Sequence, residues 1–505
     1  MFIGQMLSET RKKAPGTLAL WFNERSWTYA ELDDATDRIA AALLAAGVQA
    51  SDRVALFMPN CPELILGYFA CFKIGTITVP LNYRYRQAEA RYAIEHSGST
   101  ALIVHKELAA EVESLPLRAL GVALCYQAGA EAPRPPFVPF DDLLAGSPGA
   151  LPAPAFGEQQ LAVILYTSGT TAKPKGVMYS HSTLWHNCVI QGTTFEFTSA
   201  DVHLISTAAC HAAAFTGQLL PNIYVGGTIV LTHLPSPEHA VRAIEGHRIT
   251  RAQMLPAPLE DLVEYLEHHP EADLGSWRSC TAGGDTVPLD LHRRFRQVAG
   301  FDLTELCGMT EALSYVSNPP FGEKRLGSIG RPVAQTRLRL VDEQGREAAV
   351  GQIGEILVQT PAMMIGYWND PAATAAALRD GWLFTGDLGR RDEDGYYWFV
   401  GRKKEIIIRG GSNISPLEVE EAIDAHPGVH LSCVVGLPDK HFGQIVAAYV
   451  ALRDDVSTRP TVDELRRFVA DRIAAYKVPE RITILDELPL NPTGKVDRKA
   501  LQDYV

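Results

Sequence analysis

The sequence predicts an α/β protein: a large N-terminal domain of parallel α/β sheets, an antiparallel β unit, and a small mobile α+β C-terminal domain. Three observations predict this class. Apolar runs of strand length alternate with helix-like segments through most of the chain, which is typical of parallel sheets covered by helices. Strand-like runs separated by D-G, Q-G and N-D turns follow from residue 338, and capped helices return after residue 402. We therefore expect two domains, 1–401 and 402–505, because 505 residues exceed one simple core.

The N-terminal elements begin with a capped helix. Thr28 and Glu31 form a capping box ahead of apolar residues at helical spacing, and Gly47 ends the repeat. The segments DRVALFMPN and TITVPLN predict strands, and between them Pro62 stands where the first residue of a buried helix would lie. A further helix and strand follow in RYAIEHSGSTALIVH. The Ala-, Pro- and Gly-rich segment 127–160 predicts a connection with little regular structure.

The later elements bring polar residues to strand ends. The runs HRITRAQMLP, WRSCTAGGD and FDLTELCGMTE each end in small or polar residues, and α/β proteins bind ligands at such ends. The segments RLRLVDEQG, GEILVQT, GWLFTGDLG and GYYWFVGR predict the antiparallel unit. In the C-terminal domain, capping boxes at Ser415/Glu418 and Thr461/Glu464 predict two helices, with strands HLSCVVGLP and QIVAAYVAL between them.

Composition narrows the class of protein. A net charge of -13 argues against a nucleic-acid partner, which asks for basic patches. The N-terminus lacks the charge order of a signal peptide, and the longest apolar stretch, 64–81, is interrupted by Lys73 and Gly75, so we expect no membrane span. The eight cysteines form no C-x-x-C pairs, which fits a reducing cytoplasm and excludes a zinc site of that type.

The segment 165–180, LYTSGTTAKPKGVMYS, is the strongest candidate for a binding site. It combines hydroxyls, two glycines and two lysines behind an apolar strand. Glycines let backbone N–H groups approach a ligand closely, hydroxyls donate hydrogen bonds and lysines supply charge, which together suit a polyphosphate. It is not a Walker loop, because no G-x-x-x-x-G-K-[ST] occurs and VMYS predicts a second strand. A polar hairpin tip is the alternative interpretation.

Taken with other motifs, this segment resembles the phosphate loop of the adenylate-forming superfamily, which includes acyl-CoA synthetases, standalone adenylation enzymes and firefly-type luciferases. The resemblance covers about residues 28–499, with GMTE at 308–311, TGD at 385–387, GRKKE from 401 and PTGK at 492–495 in the family's order. A lone TGD or GRxK is common, but five such motifs in order identify the family.

The resemblance implies a nucleotide site. Hydroxyls and Lys175 would cradle phosphates, Glu311 would hold Mg²⁺, Asp387 would accept hydrogen bonds from the ribose hydroxyls, and Arg402 would assist. A solvated glutamate and a plain turn aspartate are the structural alternatives for two of these. The implied ATP/AMP-binding residues are Thr167, Ser168, Gly169, Thr170, Thr171, Lys175, Gly283, Gly284, Cys307, Gly308, Met309, Thr310, Asp387 and Arg402.

The resemblance also implies a two-step reaction. A carboxylate attacks ATP to give acyl-AMP and pyrophosphate, and a thiol, most simply that of CoA, attacks the acyl-AMP. Lys495 would neutralise charge in the first step. The C-terminal domain would then rotate about a hinge at Lys404 and bring the loop of Gly410 and Gly411 to a CoA tunnel. His211 would lie beside the acyl pocket and gate thiol entry, with a structural histidine as its alternative.

The implied acyl pocket favours an apolar fatty or aromatic monocarboxylate, since the set contains no Lys or Arg to pair a second carboxylate. Its residues are Trp185, His186, Ala212, Ala213, Met254, Ala282, Leu306 and Ala312. Ala172 stands where the phosphate loop usually has Gly, and Cys307 stands where an aromatic ring usually stacks on adenine.

Several other functions remain open from the sequence. A standalone enzyme that loads the phosphopantetheine of an acyl-carrier protein would share these motifs but ignore free CoA. A non-catalytic nucleotide-binding scaffold is the alternative from another class, and retention of Glu311 and Lys495 counts against it. Nothing in the sequence asks for the oxygen chemistry of a luciferase. A homodimer is expected only because relatives often form one.

Overall fold

Two mainly parallel sheets form the N-terminal region. The computed structural model describes residues 2–146, 151–152, 156–167, 173–233, 236–285, 287–453, 459–491 and 495–504. In spatial order, the strands of the first sheet are Arg331–Pro332, Leu313–Ser317, Thr304–Met309, Ser279–Gly283, Arg251–Met254, Val202–Ile205, Thr228–Leu231, Leu18–Phe22 and Arg25–Thr28. Those of the second sheet are Gly366–Tyr367, Lys175–Ser180, Leu161–Thr167, Ile77–Pro80, Arg53–Phe57, Ala101–His105, Leu124–Ala128 and Val138–Pro139.

Helices cover both sheets. Apolar residues of the two sheets and of helices Tyr29–Ala45 and Pro62–Ile74 share one central core. A second core lies between the first sheet and helices Pro237–His247, Pro256–His268 and Leu289–Ala299. The remaining N-terminal helices are Ile3–Lys13, Gln87–Ser97, Lys106–Glu111, Phe140–Leu143, His181–Thr194, Ala212–Ala214, the π-helix Phe215–Leu219, Leu220–Val225 and Pro371–Ala377.

The register of the first sheet decides which side chains face the π-helix. Gln253 pairs with Thr281, and Thr281 pairs with Thr304, so these three lie in one row across the sheet. Met254 and Ala282 form the next row, and both pack in the second core. Because neighbouring residues of a strand point to opposite faces, the row of Gln253 faces away from the second core.

The antiparallel unit follows the two large sheets. Its strands in spatial order are Arg337–Val341, Gly354–Gln359, Trp382–Arg391 and Leu378–Arg379, and Tyr397–Arg402 also pairs with Trp382–Arg391. The C-terminal sheet comprises Ser412–Ile414, Ile407–Arg409, Gly443–Leu452 and Val429–Asp439, with Arg481–Leu485 parallel to Gly443–Leu452. Helices Pro416–Asp424, Val462–Ala470, Ala475–Lys477 and Arg498–Gln502 accompany it. The predicted fold class is confirmed.

Local signals in the sequence are mostly confirmed. The boxes at Thr28/Glu31 and Thr461/Glu464 both form, with each threonine and glutamate capping the other's backbone. At Ser415 only half of the predicted box forms, because the serine accepts from the Glu418 N–H while the Glu418 carboxylate turns to Lys477 instead, at 2.6 Å through Oε2. A salt bridge with an ammonium thus replaces the backbone cap. Within the described ranges, no helix has the length and apolar content needed to cross a membrane.

Candidate active site

The strand pair that flanks the candidate phosphate loop brings a lysine to an acidic residue. Thr167 at the end of one strand pairs with Lys175 at the start of the next, and 168–172 between them lie outside the described residues. The Lys175 ammonium lies 4.8 Å from the centre of the Tyr367 ring, a favourable cation–π distance. The Tyr367 hydroxyl donates a hydrogen bond to Glu311 Oε1 at 2.9 Å. Burial raises the pKa of Tyr367, so the hydroxyl keeps the proton that it donates.

A tight hairpin presents Glu311. The strands Thr304–Met309 and Leu313–Ser317 are joined by a turn that holds Thr310, Glu311 and Ala312. Gly308 makes this possible, since a Cβ there would lie 2.3 Å from the Leu313 carbonyl oxygen. The Tyr179 hydroxyl fixes the tip by donating to the Thr310 carbonyl at 2.5 Å. The turn therefore holds the Glu311 carboxylate at the carboxyl end of a parallel strand.

Asp387 lies opposite Arg402 on neighbouring strands of the antiparallel unit. Its carboxylate accepts a hydrogen bond from Tyr315 at 3.1 Å through Oδ2, and Oδ1 lies 3.2 Å from Arg402 Nε. Asp387 is 3% exposed, and this burial raises the pKa of its carboxyl, an effect that the Arg402 charge opposes. For the Arg402 guanidinium, burial alone would lower the pKa, but the negative charges of Asp387, Glu405 and Glu311 together raise it. Arg402 thus lies within the electrostatic reach of both acidic site residues.

Cys307 belongs to the same hydrogen-bond network as Tyr315 and Asp387. Its Sγ lies 3.2 Å from the Tyr315 hydroxyl, which in turn donates to Asp387. Burial raises the pKa of the thiol to about 12, so Cys307 remains protonated and acts as a small polar contact.

The C-terminal unit brings Lys495 towards His211. Burial, together with the positive charges of Arg84 and Lys495, lowers the pKa of His211 to about 4. The imidazole is therefore neutral at physiological pH. Lys495 is half-buried, and its backbone N–H donates to Asn491 Oδ1 at 3.2 Å; residues 492–494 lie outside the described part of the chain. His211 itself caps the short helix that carries Ala212 and Ala213.

The predicted hinge and CoA-tunnel residues lie between the antiparallel unit and the C-terminal sheet. Lys404 follows the strand Tyr397–Arg402, and burial together with the Arg402 charge lowers its pKa. Gly410 and Gly411 form a two-residue turn between Ile407–Arg409 and Ser412–Ile414, with φ of 55° and 84°. Positive φ at both positions suits glycine and makes a tight hairpin of this loop.

The predicted acyl-pocket residues lie in three parts of the fold: around His211 and the helix His181–Thr194, at the hairpin of Glu311, and in the second core. Trp185 and His186 lie on helix His181–Thr194, where the Trp185 ring meets Tyr224 at 5.1 Å, and Ala212 and Ala213 are half-buried beside His211. Leu306 and Ala312 belong to the hairpin region, and Gly283 and Gly284 end the neighbouring strand. Met254 and Ala282 instead pack in the second core, on the opposite face of the sheet from Gln253 and Thr281.

Two residues that contact the candidate site were not predicted from the sequence: Tyr315 and Tyr367. Tyr315 and Tyr367 orient Asp387 and Glu311, 72 and 56 residues away in the chain. No local pattern links such distant partners.

The Glu311 carboxylate has the chemistry needed to bind a magnesium ion. Beyond the bond from Tyr367, the Glu311 carboxylate has no hydrogen-bond partner among the described residues, so Oε2 is available to a cation. Within those same ranges, no group of three His, Cys, Asp or Glu side chains could enclose a metal. One carboxylate suits Mg²⁺, which takes its other ligands from phosphates and water, and not a metal that needs an all-protein cage.

The comparisons with known proteins cover nearly the whole chain. Residues 7–368 match the family described as AMP-binding enzyme, and residues 418–495 match the AMP-binding enzyme C-terminal domain. An indoleacetate–CoA ligase of Aromatoleum aromaticum is 35% identical over 97% of this chain and 96% of its own length. A feruloyl-CoA synthase of an Amycolatopsis species is 36% identical over 96% and 95%.

The fold of this chain also matches that of a solved CoA ligase structure. The crystal structure of an anthranilate CoA ligase in complex with anthranoyl-AMP superposes with a TM-score of 0.93 at 26% identity, covering 100% of this chain and 97% of that one. Because the family match spans well over half of the sequence, the chain belongs to the AMP-binding enzyme family.

Proposed function

We propose that the protein is an AMP-forming acid–CoA ligase. A monocarboxylate and ATP give acyl-AMP and pyrophosphate, and CoA then displaces AMP to give acyl-CoA. The observation that carries the proposal is the buried Asp387 carboxylate, which Tyr315 holds through Oδ2 while Oδ1, 3.2 Å from Arg402 Nε, lacks a hydrogen bond among the described residues. The two relatives described above are named as a CoA ligase and a CoA synthase, and they match this chain along nearly their whole length. This favours CoA over a carrier protein as the acceptor.

The phosphate end of ATP would lie at Lys175 and Glu311. The ammonium supplies positive charge, and the Glu311 carboxylate, held by Tyr367, would bind Mg²⁺. When bound, Mg²⁺ would neutralise charge on the phosphate oxygens. Residues 168–171 would also bind the β- and γ-phosphates, because hydroxyls and backbone N–H groups suit phosphate oxygens.

The ribose would lie at Asp387. A buried carboxylate whose outer oxygen Oδ1 faces only Arg402 can accept hydrogen bonds from two vicinal hydroxyls. Oδ1 lacks a hydrogen bond among the described residues, and a buried oxygen of this kind calls for a donor. Tyr315 holds the other oxygen, so the carboxylate has one fixed orientation.

In the first half-reaction, a substrate carboxylate oxygen bonds to the α-phosphorus of ATP and the bond to pyrophosphate breaks. Lys495 would stabilise the negative charge that develops at this phosphate. Its closeness to His211 supports this role, since the charge of Lys495 is felt at that imidazole. Neutral His211 would border the acyl pocket without repelling the lysine.

In the second half-reaction, the CoA sulfur bonds to the acyl carbon and AMP leaves with the bonding electron pair. The C-terminal unit from residue 402 would rotate about Lys404 and bring the Gly410–Gly411 turn to the thiol path. We also propose that the protein forms a homodimer, which sedimentation would detect. An acyl-carrier protein is the alternative acceptor to CoA, and a carrier-loading assay would detect it.

The experiment that tests the function is pyrophosphate release from ATP with a panel of fatty, aromatic and dicarboxylic acids, each with and without CoA. We expect multiple turnovers only with CoA, and an acyl-CoA product from a monocarboxylate. Single-turnover release that ignores CoA but responds to an acyl-carrier protein would overturn the CoA assignment. Release of ADP and phosphate would overturn the reaction class.

A further inference from the structure

A small cavity lies beneath the π-helix on the first sheet. It is lined by residues that include His203, Gly217, Arg251, Gln253, Ser279 and Thr281, and has a volume of about 10 Å³. That volume holds one water-sized group. The π-helix Phe215–Leu219 follows directly on Ala212 and Ala213, and such local widening of a helix is common at functional sites.

The cavity points towards the candidate active site. Arg251 and Ser279 form one row of the sheet, and Gln253 and Thr281 form the next row on the same face. Gly283 comes two residues after Thr281 on its strand and pairs with Leu306 of the next strand. Each such step advances about 6.6 Å, so the cavity lies one to two steps from Gly283, towards the start of its strand.

The cavity presents polar atoms that lack partners. The Gln253 amide makes no hydrogen bond to any described residue, and its Oε1 lies 3.1 Å from where a Cβ of Gly217 would stand. His203 is 3% exposed, and neither of its ring nitrogens has a hydrogen-bond partner among the described residues. Buried polar groups in folded proteins are nearly always paired, so the unpaired imidazole of His203, beside the half-buried amide of Gln253 in one cavity, indicates a missing polar ligand.

The charge of the cavity is already balanced. Arg251 is held by Asp201 at 2.9 Å and donates to the carbonyls of Phe195 and Glu196. Burial lowers the pKa of His203 to about 3, so the imidazole is neutral and offers one donor and one acceptor. An added carboxylate would remain buried without a free cation, which is costly, whereas a hydroxyl would be satisfied.

We propose that the base of the acyl pocket is a neutral polar subsite, in which Gln253 and His203 bind a single hydroxyl or N–H group at the end of an aromatic acid remote from its carboxylate. This inference rests on the proposed ligase function and names its substrate class. Gly217 is the specificity element, because any side chain there would fill the space beside the Gln253 amide. A long alkyl chain fits poorly, since its end would bury both polar groups without a partner.

Matched acid pairs test the subsite in the full-length enzyme. We would measure kcat/KM for para-hydroxybenzoate against benzoate, para-hydroxyphenylacetate against phenylacetate, and para-hydroxycinnamate against cinnamate, with decanoate alongside. At least one hydroxylated acid should exceed its parent by about tenfold or more, because a site built for a hydroxyl rejects the analogue that lacks it. In Gln253→Leu this ratio should fall towards one, mainly through the hydroxylated acid.

Two further variants keep the test decisive if Gln253→Leu folds poorly. Gly217→Ala should place a methyl group against the amide and lower the same ratio while the parent acid is retained. Gln359→Leu is the matched control, since it removes an amide that bonds only the distant Gly381 carbonyl, and it should keep the wild-type ratio.

The outcomes separate the two proposals. Acyl-CoA formation with pair ratios near one, with decanoate preferred, or with ratios unchanged in the folded Gln253 and Gly217 variants, overturns the polar subsite and leaves the ligase intact. Pyrophosphate and thioester formation absent with every acid overturns the ligase, and the subsite with it.

Discussion

Tyrosines set the orientation of both acidic site residues. Tyr315 holds Asp387 and Tyr367 holds Glu311, each through one hydroxyl at about hydrogen-bond length. Neither tyrosine belongs to a motif that the sequence made prominent, while Asp387 and Glu311 do. The sequence therefore predicts which carboxylates matter, and the structure adds how they are aimed, because their partners are distant in the chain.

Lys495 should act in one half-reaction only. Lys495→Ala should reduce adenylation at least about a hundredfold, as loss of one charge-stabilising group commonly does, and spare thioester formation from supplied acyl-AMP. Pyrophosphate release and acyl-CoA formation would be measured separately. Lys499→Ala, an exposed lysine close by, is the matched control. Equal loss of both steps would refute the assigned role.

Asp387 should serve ATP rather than the acid. Asp387→Asn keeps the shape but removes the charge that faces Arg402, and should raise KM for ATP about tenfold or more with little change for the acid. Steady-state kinetics with each substrate varied in turn gives the answer. Asp394→Asn, which alters an exposed aspartate, should change neither constant. A larger effect on the acid would place the ribose site elsewhere.

The elements of the chain were predicted best where local chemistry decides them. The capping boxes at Thr28 and Thr461 form as expected, and Pro62 opens its helix. The strand Arg251–Met254 alternates polar and apolar residues, which predicts a solvent-exposed polar face, yet Arg251 on that face is 2% exposed. The face that borders the proposed substrate site depends on which helices pack against each side of the sheet. The sequence of this four-residue strand does not show which helices those are.

The turn of Gly410 and Gly411 gives a prediction at the level of an element. In Gly411→Ala a side chain is forced to a φ of 84°, which strains the hairpin by about 1 kcal/mol or more. We expect slower thioester formation with adenylation changed less than about twofold, since the turn is proposed to act in the second step. Stopped-flow measurement of each step checks this.

A matched control exists for the same backbone strain. Gly345→Ala meets a similar φ of 76° in an exposed turn with open space around it. It should lower stability comparably and leave both half-reactions unchanged. If Gly411→Ala slows adenylation as strongly as thioester formation, the turn has no special role in the second step.

Whole-molecule stability should depend on pH through buried histidines. Burial lowers the pKa of His181 to about 4, of His203 to about 3 and of His211 to about 4. The unfolded chain therefore binds more protons than the folded one between these values and about 6.5. The contribution of these histidines to stability is full above pH 6.5 and falls as the pH drops towards 4.

His181→Phe isolates one such contribution. His181 is fully buried among the rings of Phe2, Phe72 and Phe156, so a phenylalanine fits its surroundings. At pH 5 the variant should lose about 2 kcal/mol less stability, relative to pH 7.5, than the wild type. Denaturant unfolding at both pH values measures it, with the exposed His268→Phe as control. An unchanged acid slope would contradict the assignment.

Among the described residues, the polar contacts between residues 1–401 and 402–505 include the ion pairs of Arg402 with Asp387 and of Lys403 with Glu355. The Ser415 hydroxyl donates to the Val400 carbonyl, and Arg453 lies 3.9 Å and 3.8 Å from Glu260 and Asp290 across the units. Half-exposed ion pairs of this length contribute little stability. Such an interface suits the proposed rearrangement of the C-terminal unit between the half-reactions. In the proposal, the arrangement with Lys495 near His211 serves the first half-reaction.

The central claim is that an acyl-AMP precedes the thioester. The direct measurement is a single-turnover reaction with ATP labelled at the α-phosphate and the preferred acid, first without CoA and then with CoA added. We expect a labelled acyl-AMP that accumulates on the enzyme with one pyrophosphate released, and that converts to AMP and acyl-CoA when CoA is added. Label appearing in ADP, or acyl-CoA formed without a preceding acyl-AMP, would contradict it.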